Sequence, residues 1–175
     1  MKHEVALFTD VSLDPLRKQG IGGYLILPAS FLSLPLKDIT KADVSGRLVL
    51  RKFENTSSTQ LEVQTVLWAL GECHREQKAS GIEKILVYTD SQCVAGLLKR
   101  RPGLEAGGFV SKRTNTLLKH AALYRRFYEL YDELGFEVIK VAGHTRSSSR
   151  DTVHRIFSYL DQGVRKALGN PDGGT

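Results

Sequence analysis

Ile85-Leu86-Val87-Tyr88-Thr89-Asp90-Ser91-Gln92 is the stretch from which the rest of the chain is read. Ile85 to Tyr88 are apolar and β-favouring. Thr89-Asp90-Ser91 then ends the run with a carboxylate, before Val94, Leu97 and Leu98 continue at helical spacing. Asp90 therefore stands at the carboxyl end of a strand, where open α/β sheets collect ligands and chemistry. A second reading is purely local, with Asp90 or Ser91 capping the next helix. The pattern recurs at Val5-Ala6-Leu7-Phe8, a compact apolar run that passes into Thr9-Asp10. Two such strands side by side in a parallel sheet would set their carboxylates next to each other.

Outward from these two runs the elements alternate. Asp14-Pro15 and Arg17 to Gly20 make a turn, and Gly22-Gly23 opens a second strand over Tyr24–Leu27. A phosphate loop is excluded there, because a β-like run follows the glycines where that motif requires a helix. Residues 28–46 are an irregular connection, and a third strand is predicted over Arg47–Phe53. With no crossover helix between them, strands one to three pair antiparallel. Asn55 to Thr59 is rich in capping residues and precedes a helix from Gln60 to about Gln77, whose apolar face is Val63, Val66, Leu67 and Leu70. Glu62 lies at the edge of that face; its plain reading is an acid favoured by the helix dipole.

After the Asp90 strand comes a short helix that Arg101-Pro102-Gly103 is expected to break, then a loop at Gly107-Gly108. A helix from about Thr116 to Leu134 follows, stopped by Gly135. Tyr124, Tyr128 and Tyr131 flank its core stripe and read as half-buried packing. Phe136–Val141 is a fifth strand ending in Ala142-Gly143-His144, and the final helix spans Asp151–Leu168. Asp151 falls on that helix's polar face with His154, Ser158 and Arg165 and reads as a cap. Asp161 falls with Phe157, Val164 and Leu168 and points inward, where a carboxylate needs a partner.

The totals bound the class. A chain of 175 residues with 41% apolar and 25% charged residues is one globular domain, here 1–168, followed by a flexible tail at 169–175. No run is long enough to span a membrane, and the absence of a signal-peptide pattern predicts a cytoplasmic protein. Cys73 and Cys93 offer neither a disulfide framework nor a zinc site and read as core filler. The net charge of +6 is local: between Lys99 and Arg126 eight Lys and Arg residues face Glu105 alone. Such a run is either a solvated face or the footprint of a phosphate-backbone partner.

Taken together, Phe8-Thr9-Asp10 with Ser12, Gly22-Gly23-Tyr24, Leu61-Glu62, Val87-Tyr88-Thr89-Asp90-Ser91-Gln92 and Val141-Ala142-Gly143-His144 resemble, in order, the motifs of the type 1 ribonuclease H family. The resemblance implies an α/β fold with a five-stranded mixed sheet, three antiparallel strands then two parallel, flanked by helices. It implies that Asp10, Glu62, Asp90 and Asp161 hold two divalent ions, Mg²⁺ or Mn²⁺, and that His144 serves as a loop histidine. Asp151 is the rival for the fourth ligand, because the span from His144 to Asp161 is longer than usual. The implied activity is cutting of the RNA strand in RNA/DNA hybrids, leaving 5′-phosphate and 3′-hydroxyl ends, by a monomer with no small-molecule cofactor. Ser12, Ser58, Thr59, Ser91 and Gln92 would contact the hybrid, and Lys99, Arg100, Arg101, Lys112 and Arg113 would grip phosphates. Alternatives are a DNA nuclease of the same fold, resolvase-like or transposase-like, and a hybrid-binding module without catalysis.

Overall fold

Every residue from Val5 to Asp10 is buried, and the alternation of the strand divides them between two cores. The computed structural model describes residues 3–142 and 151–169. In it β1 (His3–Asp14) pairs antiparallel with β2 (Gln19–Pro28), which pairs antiparallel with β3 (Val49–Phe53). On its other side β1 runs parallel to β4 (Ile82–Thr89), which runs parallel to β5 (Glu137–Lys140), giving the order β3-β2-β1-β4-β5. This is the predicted mixed α/β sheet with three antiparallel strands and two parallel ones. The central strands are longer than predicted.

Val5 and Leu7 of β1, with Val87 of β4, pack under α2 (Ser58–Ser80), α3 (Gln92–Ala106) and α4 (Ala121–Leu134). Ala6, Phe8, Leu25 and Leu27 pack on the opposite face under α5 (Thr152–Gly169) and the short α1 (Lys41–Ser45). Both faces are covered, which is why β1 reads as an unbroken apolar run. Fully burying each such side chain stabilises the fold by about 1.5–3 kcal/mol. Cys73 and Tyr128 are buried in the larger core. Gly81 (φ 69°) and Gly135 (φ 63°) end α2 and α4 in the left-handed region.

Three local expectations are corrected. The Arg101-Pro102-Gly103 run does not break the chain, since α3 continues through Pro102 to Ala106. Proline forfeits one helical hydrogen bond. However, Arg101 is clamped by Asp132 of α4 through two 2.7 Å hydrogen bonds, and the last turn closes with Gly107 N–H donating to Gly103 at 3.0 Å. Next, α4 begins at Ala121, not Thr116. Residues 109–118 form a turn in which Ser111 N–H donates to the Thr116 carbonyl and Leu118 N–H to that of Phe109, both at 2.8 Å, with Asn115 at φ 54°. Finally, the connection at 28–46 contains two 3-10 turns, Ala29–Ser33 and Leu36–Asp38, and α1, capped by Thr40. The predicted tail lies almost wholly outside the described residues.

Candidate active site

The parallel register between β1 and β4 ends at the pair Phe8 and Tyr88, whose rings stack at 4.7 Å. Two residues further along each strand stand Asp10 and Asp90, on the same side of the sheet as that ring pair by alternation. Asp10 is 7% exposed, and its Oδ2 is buried without a hydrogen-bond partner. Burial, then the charge of Asp90, then a side-chain hydrogen bond and charge from Asp161 push the Asp10 carboxyl up to about 8, opposed by a hydrogen bond from the Val11 backbone. Two carboxylates have no donor between them, so it is the raised Asp10 carboxyl that supplies the proton facing Asp161.

Asp161 can lie there because α5 comes unusually close to the sheet. A Cβ on Gly23, which is paired with Asp10, would sit 2.7 Å from Val164 Cγ2 and 3.3 Å from Leu160 Cδ1. A Cβ on Gly22 would meet Thr65 of α2 on the opposite face even more closely. The Gly-Gly pair thus serves close helix approach, in keeping with its placement within a strand. Arg165 of α5 donates to Asp161 at 3.2 Å. The sequence reading put Arg165 on the polar face with Asp151, and the visible signal for its real partner is the i, i+4 spacing from Asp161. Asp151 accepts the Val153 N–H at 2.8 Å as the cap of α5, and its charge acts on Tyr88.

Glu62 is in the second turn of α2 and no acid occupies that helix's first turn, so a dipole role does not account for it. Ser91 Oγ donates to Glu62 at 2.6 Å, and the same oxygen accepts the Val94 N–H at 3.1 Å as the N-cap of α3. Of the two capping candidates, Asp90 and Ser91, it is Ser91 that caps the helix. Glu62 is pushed up by burial and by Asp90, with the Ser91 bond opposing. Thr9, Asp10, Val11, Glu62, Thr89, Asp90 and Ser91 line one small cleft.

All donors in this cleft are hard oxygens. Among the described residues no three of His, Cys, Asp and Glu are gathered as a formed metal cage. Glu62 is held by Ser91 and Asp161 by Arg165. His144 lies outside the described residues.

The remaining predicted contacts fall into three groups. Ser58 and Thr59 open α2 one turn before Glu62, and Gln92 is exposed beside Ser91 at the start of α3. Ser12 is half-buried in β1, and Ser91 is engaged by Glu62 and Val94. Lys99 and Arg100 are exposed on α3, ~12 Å along its axis from the cleft at 1.5 Å per residue. Lys112 and Arg113 are exposed in the turn beyond it. Arg101 differs from these. Its guanidinium is bound by Glu105 and Asp132, so it joins α3 to α4 instead of facing outward.

No protein-family model matches this sequence, and no curated protein matches it. Solved structures do. A type 1 ribonuclease H with the type 2 active-site motif, LC9-RNase H1, aligns with TM-score 0.61 and 17% identity over 97% of this chain and 74% of its own. The foamy viral protease-reverse transcriptase in complex with double-stranded DNA aligns with TM-score 0.55 and 14% identity over 93% of this chain and 95% of that one. The same protein in complex with an RNA/DNA hybrid aligns with TM-score 0.52 and 12% identity over 93% of this chain, which corresponds to 20% of that chain. The fold is ribonuclease H-like.

Proposed function

We propose that the protein is a metal-dependent endonuclease that hydrolyses the RNA strand of RNA/DNA hybrids. The observation that carries this reading is the Asp10 carboxyl, buried with an unpartnered oxygen against Asp161 and Asp90 in a ribonuclease H-like fold. A protein retains such a destabilised carboxyl where its charged form has a use. An oxygen-only donor set without thiolate suits Mg²⁺ or Mn²⁺. Asp10, Glu62, Asp90 and Asp161 would be the holders, Glu62 oriented by Ser91 and Asp161 by Arg165. Two divalent ions bound there would supply a nucleophilic water and charge stabilisation for the departing 3′ oxygen.

The chain's own residues do the rest. Asp10, whose charged form burial and its acidic neighbours disfavour, would give up its proton to hold a cation. Ser91 keeps Glu62 aimed at the cleft, and Arg165 keeps Asp161 beside Asp10 while charge is absent. Ser58, Thr59 and Gln92, exposed or half-buried at the cleft margin, are placed to contact a hybrid through its shape and 2′-hydroxyls. Lys112 and Arg113 would bind phosphate further along. His144 would shuttle a proton near neutral pH.

The test is cleavage of end-labelled RNA/DNA hybrid, duplex DNA and duplex RNA with Mg²⁺ and with EDTA. Hybrid-only, Mg²⁺-dependent cutting of the RNA strand to 5′-phosphate and 3′-hydroxyl ends is expected. Cutting of duplex or branched DNA instead would move the protein to a resolvase-like class, and binding without cutting would make it a hybrid-binding module.

A further inference from the structure

Alternation along β3 sends Val49, Arg51 and Phe53 to one face of the sheet and Leu50 and Lys52 to the other. Arg51 lies over the rings of Phe53 (5.0 Å) and Trp68 (5.8 Å), which joins the first set to α2. Leu50 and Lys52 instead line a groove of about 660 Å³ bounded by β3, α1 and the C-terminal half of α5. Its apolar lining includes Ile21, Leu48, Leu50, Tyr159 and Leu168, and Leu50 is 41% exposed. Its charged lining is Arg17, Lys41, Lys52 and Lys166 against Asp14. Arg17 pairs with Asp14 and Lys52 with Glu54, each at 3.8 Å, whereas Lys41 and Lys166 have no acidic partner among the described residues. β3 is the last strand of the sheet, so its outer backbone edge is paired with no other strand among those residues.

We propose that this edge and groove dock an extended segment of a partner protein, added beside β3 as a sixth strand, whose groove-facing residues, every second one, include both apolar and acidic side chains. Each part of the site selects one property of that occupant. The open edge takes its backbone amides and carbonyls. Every second side chain then stands next to Leu50 and Lys52 over the groove, which is of the size and apolar character that holds a few side chains. The surplus of positive charge at the rim selects Asp and Glu. A single nucleic-acid strand would match the lysines but not the floor, where aliphatic side chains outnumber the one ring of Tyr159 and base stacking needs aromatic platforms. Gln162 and Gly163 line the groove while Asp161, the residue before them, meets Asp10. A docked strand would thus lie across α5 from the acids and leave the cleft open. The proposal does not depend on what the cleft does.

Fluorescence anisotropy of the labelled octapeptide Ser-Leu-Ser-Glu-Ser-Leu-Ser-Glu, whose leucines and glutamates share one face of a strand, tests it, beside counterparts with lysine for each glutamate and with serine for each leucine. Wild type is compared with Leu50→Glu and with the double variant Lys41→Glu/Lys166→Glu, all checked for unchanged circular dichroism. The expected result is saturable binding of the glutamate-leucine peptide, at least tenfold weaker for both counterparts and in both variants, a loss that corresponds to about 1.4 kcal/mol. N-methylating alternate amides of the peptide should abolish it, and NMR shifts on addition should centre on Val49–Phe53. No saturable binding, equal binding to the variants, indifference to N-methylation, or displacement by a single-stranded oligonucleotide acting through the same lysines would overturn the proposal.

Discussion

Replacing Asp10 by Asn should stabilise the protein near neutral pH in the absence of divalent ions and leave it unchanged in acid. In the folded chain the Asp10 carboxyl is pushed from 3.8 up to about 8 by burial and by Asp90 and Asp161. Below the ordinary carboxylate range the group is neutral both folded and unfolded and makes no difference. As the pH rises the unfolded chain ionises first, so the folded state loses stability from about pH 4, and the loss is complete only above about pH 8. At about 1.36 kcal/mol per pKa unit the ceiling on that loss at pH 7 is on the order of 4 kcal/mol. Solvent at the cleft mouth reduces the expected gain to about 1–3 kcal/mol. Asn is nearly isosteric, carries no charge, and its amide can donate to Asp161 at every pH. Urea denaturation of wild type and Asp10→Asn in EDTA, from pH 4 to pH 9, reads this directly, with coincident curves in acid and a widening gap toward pH 8. Mg²⁺ should then stabilise the wild type by mass action and the variant much less. A wild-type stability that rises over this range, or an Asn variant no more stable at pH 8, would refute the account of the buried carboxyl.

Gly23→Ala places a methyl 2.7 Å from Val164 and should push α5 off the sheet, with a loss of about 1–3 kcal/mol in thermal or urea unfolding and a fall in hybrid cleavage as Asp161 moves away from Asp10. Ser91→Ala removes both the α3 cap and the hydrogen bond to Glu62. It should lower stability by about 1–2 kcal/mol and move the Glu62 titration, followed by NMR, further up, since that bond is the one influence holding it down. Lys112→Ala/Arg113→Ala should weaken hybrid binding and reduce the slope of log affinity against log salt by about 2, whereas Arg101→Ala should leave the slope unchanged because Asp132 and Glu105 hold that side chain.

The neighbouring positions of Asp10 and Asp90 are legible because two short apolar runs end in the same Thr-Asp pair, and a parallel register then aligns them. The inward placement of Asp161 is legible because it shares a helical face with Phe157 and Val164. What hides from the sequence is mostly contact across long separations. Helix α3 continues through Pro102, where the neighbouring Arg101 pairs with Asp132, 31 residues from it. The mixed pattern of β3 reflects an edge strand with a different neighbour on each face. Residues 28–46 make turns too short to leave a periodic signal. The double role of Ser91, cap and Glu62 donor, has no mark in the sequence beyond a serine before a helix, and Arg165 is absorbed by a polar-face reading until Asp161 is seen next to it.

The most direct test of the site is the rate of RNA-strand cleavage in an RNA/DNA hybrid with Mg²⁺, measured for wild type, Asp10→Asn, Asp161→Asn and Asp151→Asn. With Asp10 and Asp161 in contact and Asp151 serving as a helix cap, the first two substitutions should each reduce the rate by at least about a hundredfold, while Asp151→Asn, which keeps a capping side chain, should stay within a few-fold of wild type. An active Asp161→Asn beside a dead Asp151→Asn, or a wild type that cuts no hybrid, would contradict the account.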